Sequence, residues 1–212
     1  MATSAGTILV GRHLNSFLSV DRPLGAPVMV VEGWLPRYAY REAARRFLEG
    51  RYGRIIVAGV RDDDYRHPGD GTPDDFGVAD LLASGVPEGV ISTAVAESAP
   101  RDRTYYAALA VTRTLDLKGI PNTPIDVVTV GPHARRSQLL FGRAFKDAGR
   151  VGVIAIEDRR FDASHWWRSS EGVRTVLGEA IAYVYARFIF SPQDEQSTVS
   201  GLSGVVSRMA SE

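Results

Sequence analysis

Cysteine is absent from the 212-residue chain. Its absence excludes disulfide bonds, metal sites with thiolate ligands and catalysis by a cysteine nucleophile. The sequence also has no run approaching the roughly 18 consecutive apolar residues of a membrane span. Its first 20 residues lack the basic start, long apolar core and small-residue cleavage site of a signal peptide. We expect a cytoplasmic location, with peripheral membrane contact as the alternative.

The chain also has no excess of positive or of negative residues. Lys plus Arg and Asp plus Glu both total 25, so the formal net charge is zero. No overall attraction to nucleic acid or to an anionic membrane is therefore expected. The chain has no GxGxxG or Walker A loop, no GxSxG elbow and no HExxH motif. These absences argue against dinucleotide-binding, kinase, α/β-hydrolase and zinc-protease functions.

Short apolar runs alternate with segments of helical periodicity, and 44% of the residues are hydrophobic. We predict strands at residues 28–31, 55–58, 90–95, 125–130 and 151–156, and helices after each of them. This alternation predicts a single Rossmann-like three-layer α/β domain with a mostly parallel sheet of about five strands. Residues 1–26 are interpreted as an N-terminal extension packing on the domain, 27–190 as the domain, and 191–212 as a polar, flexible tail.

The last predicted helix, about residues 170–190, has an apolar stripe at helical spacing. Its members are Val173, Val176, Leu177, Ile181, Val184 and Phe188. Trp166 and Trp167 precede this helix, and at least one of them is expected to pack in the core beneath it. The alternatives are a pocket wall and a contact surface for a partner protein.

Parallel sheets bind ligands beyond the carboxyl ends of their strands. After the fourth predicted strand, Gly131 and a proline turn the chain into a helix that begins with His133, Arg135 and Arg136. His133 and Arg136 share one helical face, whereas Arg135 points elsewhere. Cations are disfavoured at a helix start by the dipole, so we predict that a bound anion compensates them there.

Other polar residues follow neighbouring strands. Asp102 opens the helix after the third strand and either caps that helix or joins the site beside Arg103. Glu32 follows the first strand and Glu97 the third. Either carboxylate, facing His133, would form a pair suited to general acid–base chemistry.

The segment 61–73 is rich in aspartate and predicts an exposed loop. Asp62, Asp63 and Asp64 with His67 and Asp70 do not have the ligand spacing of a calcium loop. We interpret this segment as a solvated loop and assign no metal site.

Across residues 27–190 the chain resembles the SanA/ElyC/YdcF-like proteins, a bacterial domain family of unknown function. An ordered set of short motifs carries the resemblance: Val30–Pro36, Ile55–Gly59, Ser84–Pro87, Glu97 leading to Arg103-Thr104, and Thr129 followed by His133 and Arg136. The resemblance implies a Rossmann-like fold with a polar pocket at the strand ends. It also implies a link to cell-envelope biogenesis and, as suggested within the family, S-adenosylmethionine binding.

The expected function is an enzyme acting on a phosphorylated or nucleotide-like metabolite, in envelope polysaccharide or lipid-carrier metabolism; the cofactor is left unassigned. His133 with Glu32 or Glu97 would be catalytic. The expected ligand-binding residues lie at strand ends: Gly33, Trp34, Gly59, Asp102, Arg103, Thr104, Thr129, Gly131, Arg135 and Arg136. The alternatives are a non-catalytic module for S-adenosylmethionine or a nucleotide, and an interaction protein.

Overall fold

A computed structural model describes residues 13–61, 73–97, 99 and 101–192. The strands are β1 (Val28–Glu32), β2 (Arg54–Val60), β3 (Ile91–Ala96), β4 (Ile125–Val130) and β5 (Val151–Ile156). The main helices are α1 (Arg37–Glu49), α2 (Pro73–Ala83), α3 (Arg103–Leu117), α4 (Ala134–Ala144) and α5 (Ser170–Phe188). The predicted aspartate loop at 62–72, the residues before 13 and the tail from 193 lie outside the described residues.

The five strands form one parallel sheet in the order β3-β2-β1-β4-β5. The prediction of a Rossmann-like three-layer α/β domain is thereby confirmed. The chain runs outward from β1 to β3, and β4 then returns to the other side of β1. The order of the sheet therefore reverses between β1 and β4, where doubly wound sheets open a crevice at their carboxyl edge.

Alternate residues of the central strands serve opposite layers, as the period of a strand requires. Val30 of β1 faces a core with Val111 of α3 and Phe141 of α4. Met29 and Val31 face the other core, which includes Phe47 of α1. All five β1 residues are buried, as expected for a strand covered on both faces.

Residues 13–26 pack against the domain. Residues 13–18 are helical, and Arg22 forms an antiparallel bridge with Val153 of β5. The fully buried Asp126 carboxylate accepts hydrogen bonds from the backbone N–H groups of Leu24, 2.7 Å, and Ala26, 3.0 Å, and from the Tyr52 hydroxyl, 3.0 Å. The Asp126 carboxylate therefore holds the residues that precede β1 against the amino end of the sheet. Parallel sheets bind ligands at the opposite, carboxyl end.

The apolar stripe of the last helix divides between two environments. Val176 is fully buried in a hydrophobic cluster that includes Trp166. Val173 is partly buried and packs against this cluster. Ile181 and Phe188, in contrast, are 71% and 75% exposed, and Leu177 and Val184 also face outward. The burial of Trp166 agrees with a core role for one tryptophan. Within the part of the chain described, no helix has the length and apolar character needed to cross a bilayer.

Candidate active site

A cavity of about 590 Å³ opens at the carboxyl ends of the strands. Most of the residues predicted for the site line it: Glu32, Gly33, Trp34, Gly59, Asp102, Arg103, Thr104, His133 and Arg136. Helix α5 closes the opposite side with Glu179, Ala182, Tyr185 and Ala186. The reversal of strand order between β1 and β4 thus coincides with a cavity lined by titratable side chains.

His133 reaches the cavity through a tight turn after β4. Gly131 begins a 3-10 helix, Gly131–His133, that leads directly into α4. Its φ is +48°, and a Cβ there would lie 3.1 Å from the Asp158 Cβ. Glycine therefore permits both the backbone conformation and the close approach. The sequence predicts that a helix begins at His133. In the structure His133 is the last residue of the 3-10 helix, and α4 begins at the next residue.

The His133 imidazole lies between two carboxylates. Its Nδ1 is 2.9 Å from Glu179 Oε1, and its Nε2 is 3.4 Å from Glu32 Oε1. The His133 and Glu32 side chains are only 9% and 3% exposed. The Trp34 ring meets the imidazole edge-on, with 4.8 Å between the ring centroids. One histidine thus joins β1 and α5, which supply the two acids.

Arg136 holds the second acid in place. Its Nε donates to Glu179 Oε2 at 2.9 Å and one terminal nitrogen donates to Oε1 at 3.0 Å, which makes the pair bidentate. The other terminal nitrogen lies 3.4 Å from the Thr104 hydroxyl of α3. Arg136 therefore links three helices around the cavity.

Glu32 ends β1 and is held by hydroxyl groups. The Ser137 hydroxyl donates to Oε1 at 3.0 Å, and the Tyr40 hydroxyl donates to the Glu32 backbone carbonyl at 3.2 Å. Glu32 Oε2, His133 Nε2 and Thr129 Oγ1 are buried, and none has a hydrogen-bond partner among the described residues. Such atoms are costly to bury and require explanation where they occur together.

The close packing of these charges determines their protonation. Burial alone would lower the pKa of His133, but the Glu32 charge and the hydrogen bond to Glu179 outweigh it and raise the pKa to about 9. Burial would raise the pKa of Glu179, yet bonds from His133 and Arg136 lower it to about 2. Burial would raise the pKa of Glu32, but the charge of His133 and the hydrogen bonds to the carboxylate together lower it. At neutral pH the imidazolium therefore lies between two carboxylates.

These shifts predict how the stability of the domain depends on pH. The raised pKa of His133 contributes stability that is complete below its unfolded pKa of 6.5 and is lost as pH rises to about 9. The lowered pKa of Glu179 contributes stability that is lost as pH falls from 4.5 to about 2. Urea unfolding between pH 6 and 10 should show the first loss, and the slope should flatten in His133→Gln. An equal slope in that variant would remove His133 as its source.

The negative charge that balances His133 and Arg136 comes from the protein itself, whereas the sequence predicted a bound anion. Their position at a helix start predicted a bound anion, but Glu32 and Glu179 supply two negative charges for these two cations. This cluster is neutral without a ligand, so its cations alone no longer argue for an anion.

Four predicted site residues do not line the cavity. The Glu97 side chain is 86% exposed and pairs with Arg61 at the sheet edge. The Arg135 guanidinium lies over the Phe17 ring, 3.9 Å from its centroid. Thr129 is buried beneath the site, and Gly131 lines a separate small pocket with Asp158. Of the two carboxylates considered as partners of His133, the structure therefore brings only Glu32 to it.

Asp102 does not cap α3 with its side chain, so the predicted cap is wrong. Its backbone is left-handed, with φ +53°, and its carboxylate lies 3.4 Å from the Tyr185 hydroxyl of α5. Its backbone carbonyl accepts hydrogen bonds from the amides of Tyr105 and Tyr106. No acid lies in the first turn of α3, so this helix start presents partial positive charge to the cavity.

The sequence argument missed two residues of the cluster, Glu179 and Ser137. Glu179 had a detectable signal, because it is the only charged residue between Arg174 and Arg187 in an otherwise apolar helix. Ser137 had none, since a serine within a helix is common.

Comparison with known proteins leaves the chain without a family assignment: no protein-family model matches it, and neither does any curated protein.

Proposed function

We propose that this protein is an enzyme that acts by general acid–base chemistry on a phosphorylated or nucleotide-like metabolite. The observation that carries the proposal is the His133 imidazole, buried between Glu32 and Glu179 at the wall of a cavity of about 590 Å³. Two carboxylates around one imidazole shift its proton affinity, and shifted proton affinities cluster at functional sites. The resemblance to SanA/ElyC/YdcF-like proteins is the sole support for an envelope polysaccharide or lipid-carrier context.

The proposed roles follow from the protonation states. His133, whose raised pKa keeps it protonated at neutral pH, acts as the general acid. Glu32, ionised and with Oε2 lacking a described partner, acts as the general base. Glu179 fixes the imidazole through Nδ1, and Arg136 fixes Glu179. The two proton-transfer groups thus lie side by side, as reversible proton transfer at one substrate centre requires.

The anionic part of the substrate is assigned to the rim. Arg101 and Arg103 line the cavity at the start of α3, and Arg103 lies 3.4 Å from the Val60 carbonyl. The guanidinium groups that line this rim and the partial positive charge of the helix start favour an anion there. The cavity volume lies within the 300–1,000 Å³ range common for small-molecule sites.

The proximity of Glu32 to His133 favours an enzyme over a non-catalytic binding module. A module that only senses a metabolite or binds S-adenosylmethionine needs the cavity but no paired acid and base. The interaction-protein alternative receives less support, because Trp166 is 5% exposed and belongs to the core.

Thermal unfolding with a ligand panel tests the proposal. The panel comprises inorganic phosphate, nucleotides, sugar nucleotides, polyprenyl-phosphate analogues and S-adenosylmethionine. A ligand at 100 times its Kd should stabilise the domain by about 2.7 kcal/mol, which raises Tm by about 5–10 °C. We expect this shift for one phosphorylated class in the wild type, and its loss in Arg103→Ala, which removes a cation of the rim.

Arg135→Ala is the matched control, because it removes a neighbouring cation that lies outside the cavity. It should retain the ligand shift. A panel without any shift would overturn the proposal, and a shift equal in Arg103→Ala would move the anion away from this rim. A shift with S-adenosylmethionine alone would support the binding module instead.

A further inference from the structure

The indole of Trp34 is exposed at the cavity, although the residue that follows it is buried. The chain leaves β1 through Gly33, and the next two residues are Trp34 and Leu35. Leu35 is 6% exposed and belongs to the core, whereas the larger Trp34 is 51% exposed and lines the cavity. Exposure of so large an apolar ring to water is unfavourable, and aromatic side chains in cavities commonly serve as ligand contacts.

The backbone before Trp34 fixes the position of the indole. The Gly33 N–H donates to the Ala58 carbonyl of β2 at 2.6 Å, and a Cβ at Gly33 would lie 3.0 Å from the same oxygen. The Trp34 ring meets the His133 imidazole at 68°, with 4.8 Å between the centroids. These contacts hold the indole in place, so a ligand that stacks on it loses little affinity to ordering of the side chain.

The surroundings of Trp34 favour a flat polar ring over an alkyl chain. Several charged side chains line the same cavity, among them Asp102, His133, Arg136 and Glu179. An alkyl chain placed there would displace water from these groups without offering them hydrogen bonds, which is costly. A nucleobase has apolar faces and an edge of hydrogen-bond donors and acceptors. It can therefore cover the indole and still serve polar neighbours.

We propose that Trp34 stacks on the base of a nucleotide, so that the substrate is a nucleotide rather than a sugar phosphate or a polyprenyl phosphate. This inference rests on the proposed function, which supplies the phosphorylated substrate. It adds the part of the substrate that distinguishes it from other phosphorylated compounds. Trp34 is then a specificity-determining residue that acts through its ring face.

Calorimetric titration of the full chain with matched compounds tests the inference. Adenosine monophosphate and uridine monophosphate are compared with ribose 5-phosphate, which has the same sugar and phosphate but no base. In the wild type we expect at least one nucleotide to bind about 5- to 150-fold more tightly than ribose 5-phosphate, because stacking of one base on an aromatic side chain contributes an amount of this order. The same nucleotide should quench tryptophan fluorescence, and this quenching should disappear in Trp34→Phe.

The Trp34→Ala variant removes the ring on which the base is proposed to stack. The preference for the nucleotide should fall below about twofold, while the affinity for ribose 5-phosphate stays unchanged. Trp34→Phe keeps an aromatic face and should retain most of the preference. Trp34→Leu keeps apolar bulk without that face, and it repeats the test if the alanine variant fails to fold.

Phe188→Ala is the control, because it removes a ring that is 75% exposed on α5 and does not line the cavity. It should keep the full preference for the nucleotide.

Three results would overturn the inference. If both nucleotides bind the wild type no more tightly than ribose 5-phosphate, the base is not recognised, although the proposed function survives because phosphorylated compounds bind. If Trp34→Ala keeps the preference, or loses affinity for all three compounds equally, the base does not stack on this ring. If none of the three compounds binds the wild type, the inference fails, and the wider ligand panel then decides separately on the proposed function.

Discussion

The Glu179→Ala variant should lose about 3 kcal/mol of unfolding free energy, because removing one partner of a buried ion pair leaves the other charges uncompensated. Glu179 neutralises His133 and Arg136, and its side chain is 18% exposed. For a domain of this size the loss lowers Tm by about 6–12 °C. Urea unfolding at pH 7 measures the free energy, and thermal unfolding gives Tm.

Glu171→Ala provides the control within the same helix. Glu171 pairs with Arg160 and Arg174, which are 52% and 74% exposed. Exposed pairs contribute about 1 kcal/mol or less, so this variant should lie close to the wild type. Equal losses in the two variants would contradict a special role for Glu179. The NMR titration of His133 in Glu179→Ala should also show a lower pKa than in the wild type.

The His133→Gln variant should lower kcat by about 10²–10⁴-fold on the phosphorylated compound that the wild type turns over, which is the usual contribution of a positioned general acid. Glutamine keeps an N–H donor near Glu32 but cannot transfer its proton. Ligand affinity should change much less than kcat, since Arg103 and the start of α3 are untouched. Steady-state kinetics with calorimetric Kd values separate the two effects.

His165→Gln is the corresponding control, because His165 is a surface histidine that pairs with Asp162. Its kcat should equal that of the wild type. A His133→Gln enzyme with unchanged kcat would remove His133 from the chemistry. A variant that loses affinity and kcat in the same proportion would assign His133 to binding alone.

The fold could be predicted from the sequence because each strand is a short, β-branched apolar run between helical patterns. The run at residues 125–130 coincides with β4, and that at 151–156 with β5. The segment 90–95 is displaced from β3 by one residue. The exposure of Ile181 and Phe188 could not be predicted, because helical spacing identifies an apolar face without identifying what covers it.

The site could be predicted only in part, because the sequence pattern does not give the order of the strands in the sheet. Glu32 is the last residue of β1 and Glu97 directly follows β3, yet β1 is central while β3 lies at the sheet edge. The order of strands depends on long-range pairing, which local patterns do not contain. Arg136 was correctly grouped with His133 by helical spacing, whereas Glu179 reaches them from a helix much later in the chain.

The position of Glu179 late in the sequence determines when the charged cluster is completed during synthesis of the chain. A growing chain has made all five strands, His133 and Arg136 before Glu179 is added. Until the last helix has been synthesised, Glu32 is the only one of the two carboxylates of the cluster that these two cations can pair with. Docking of the last helix then supplies the missing negative charge and the far wall of the cavity together. The charges of the cluster are consequently complete only when the last helix has been synthesised.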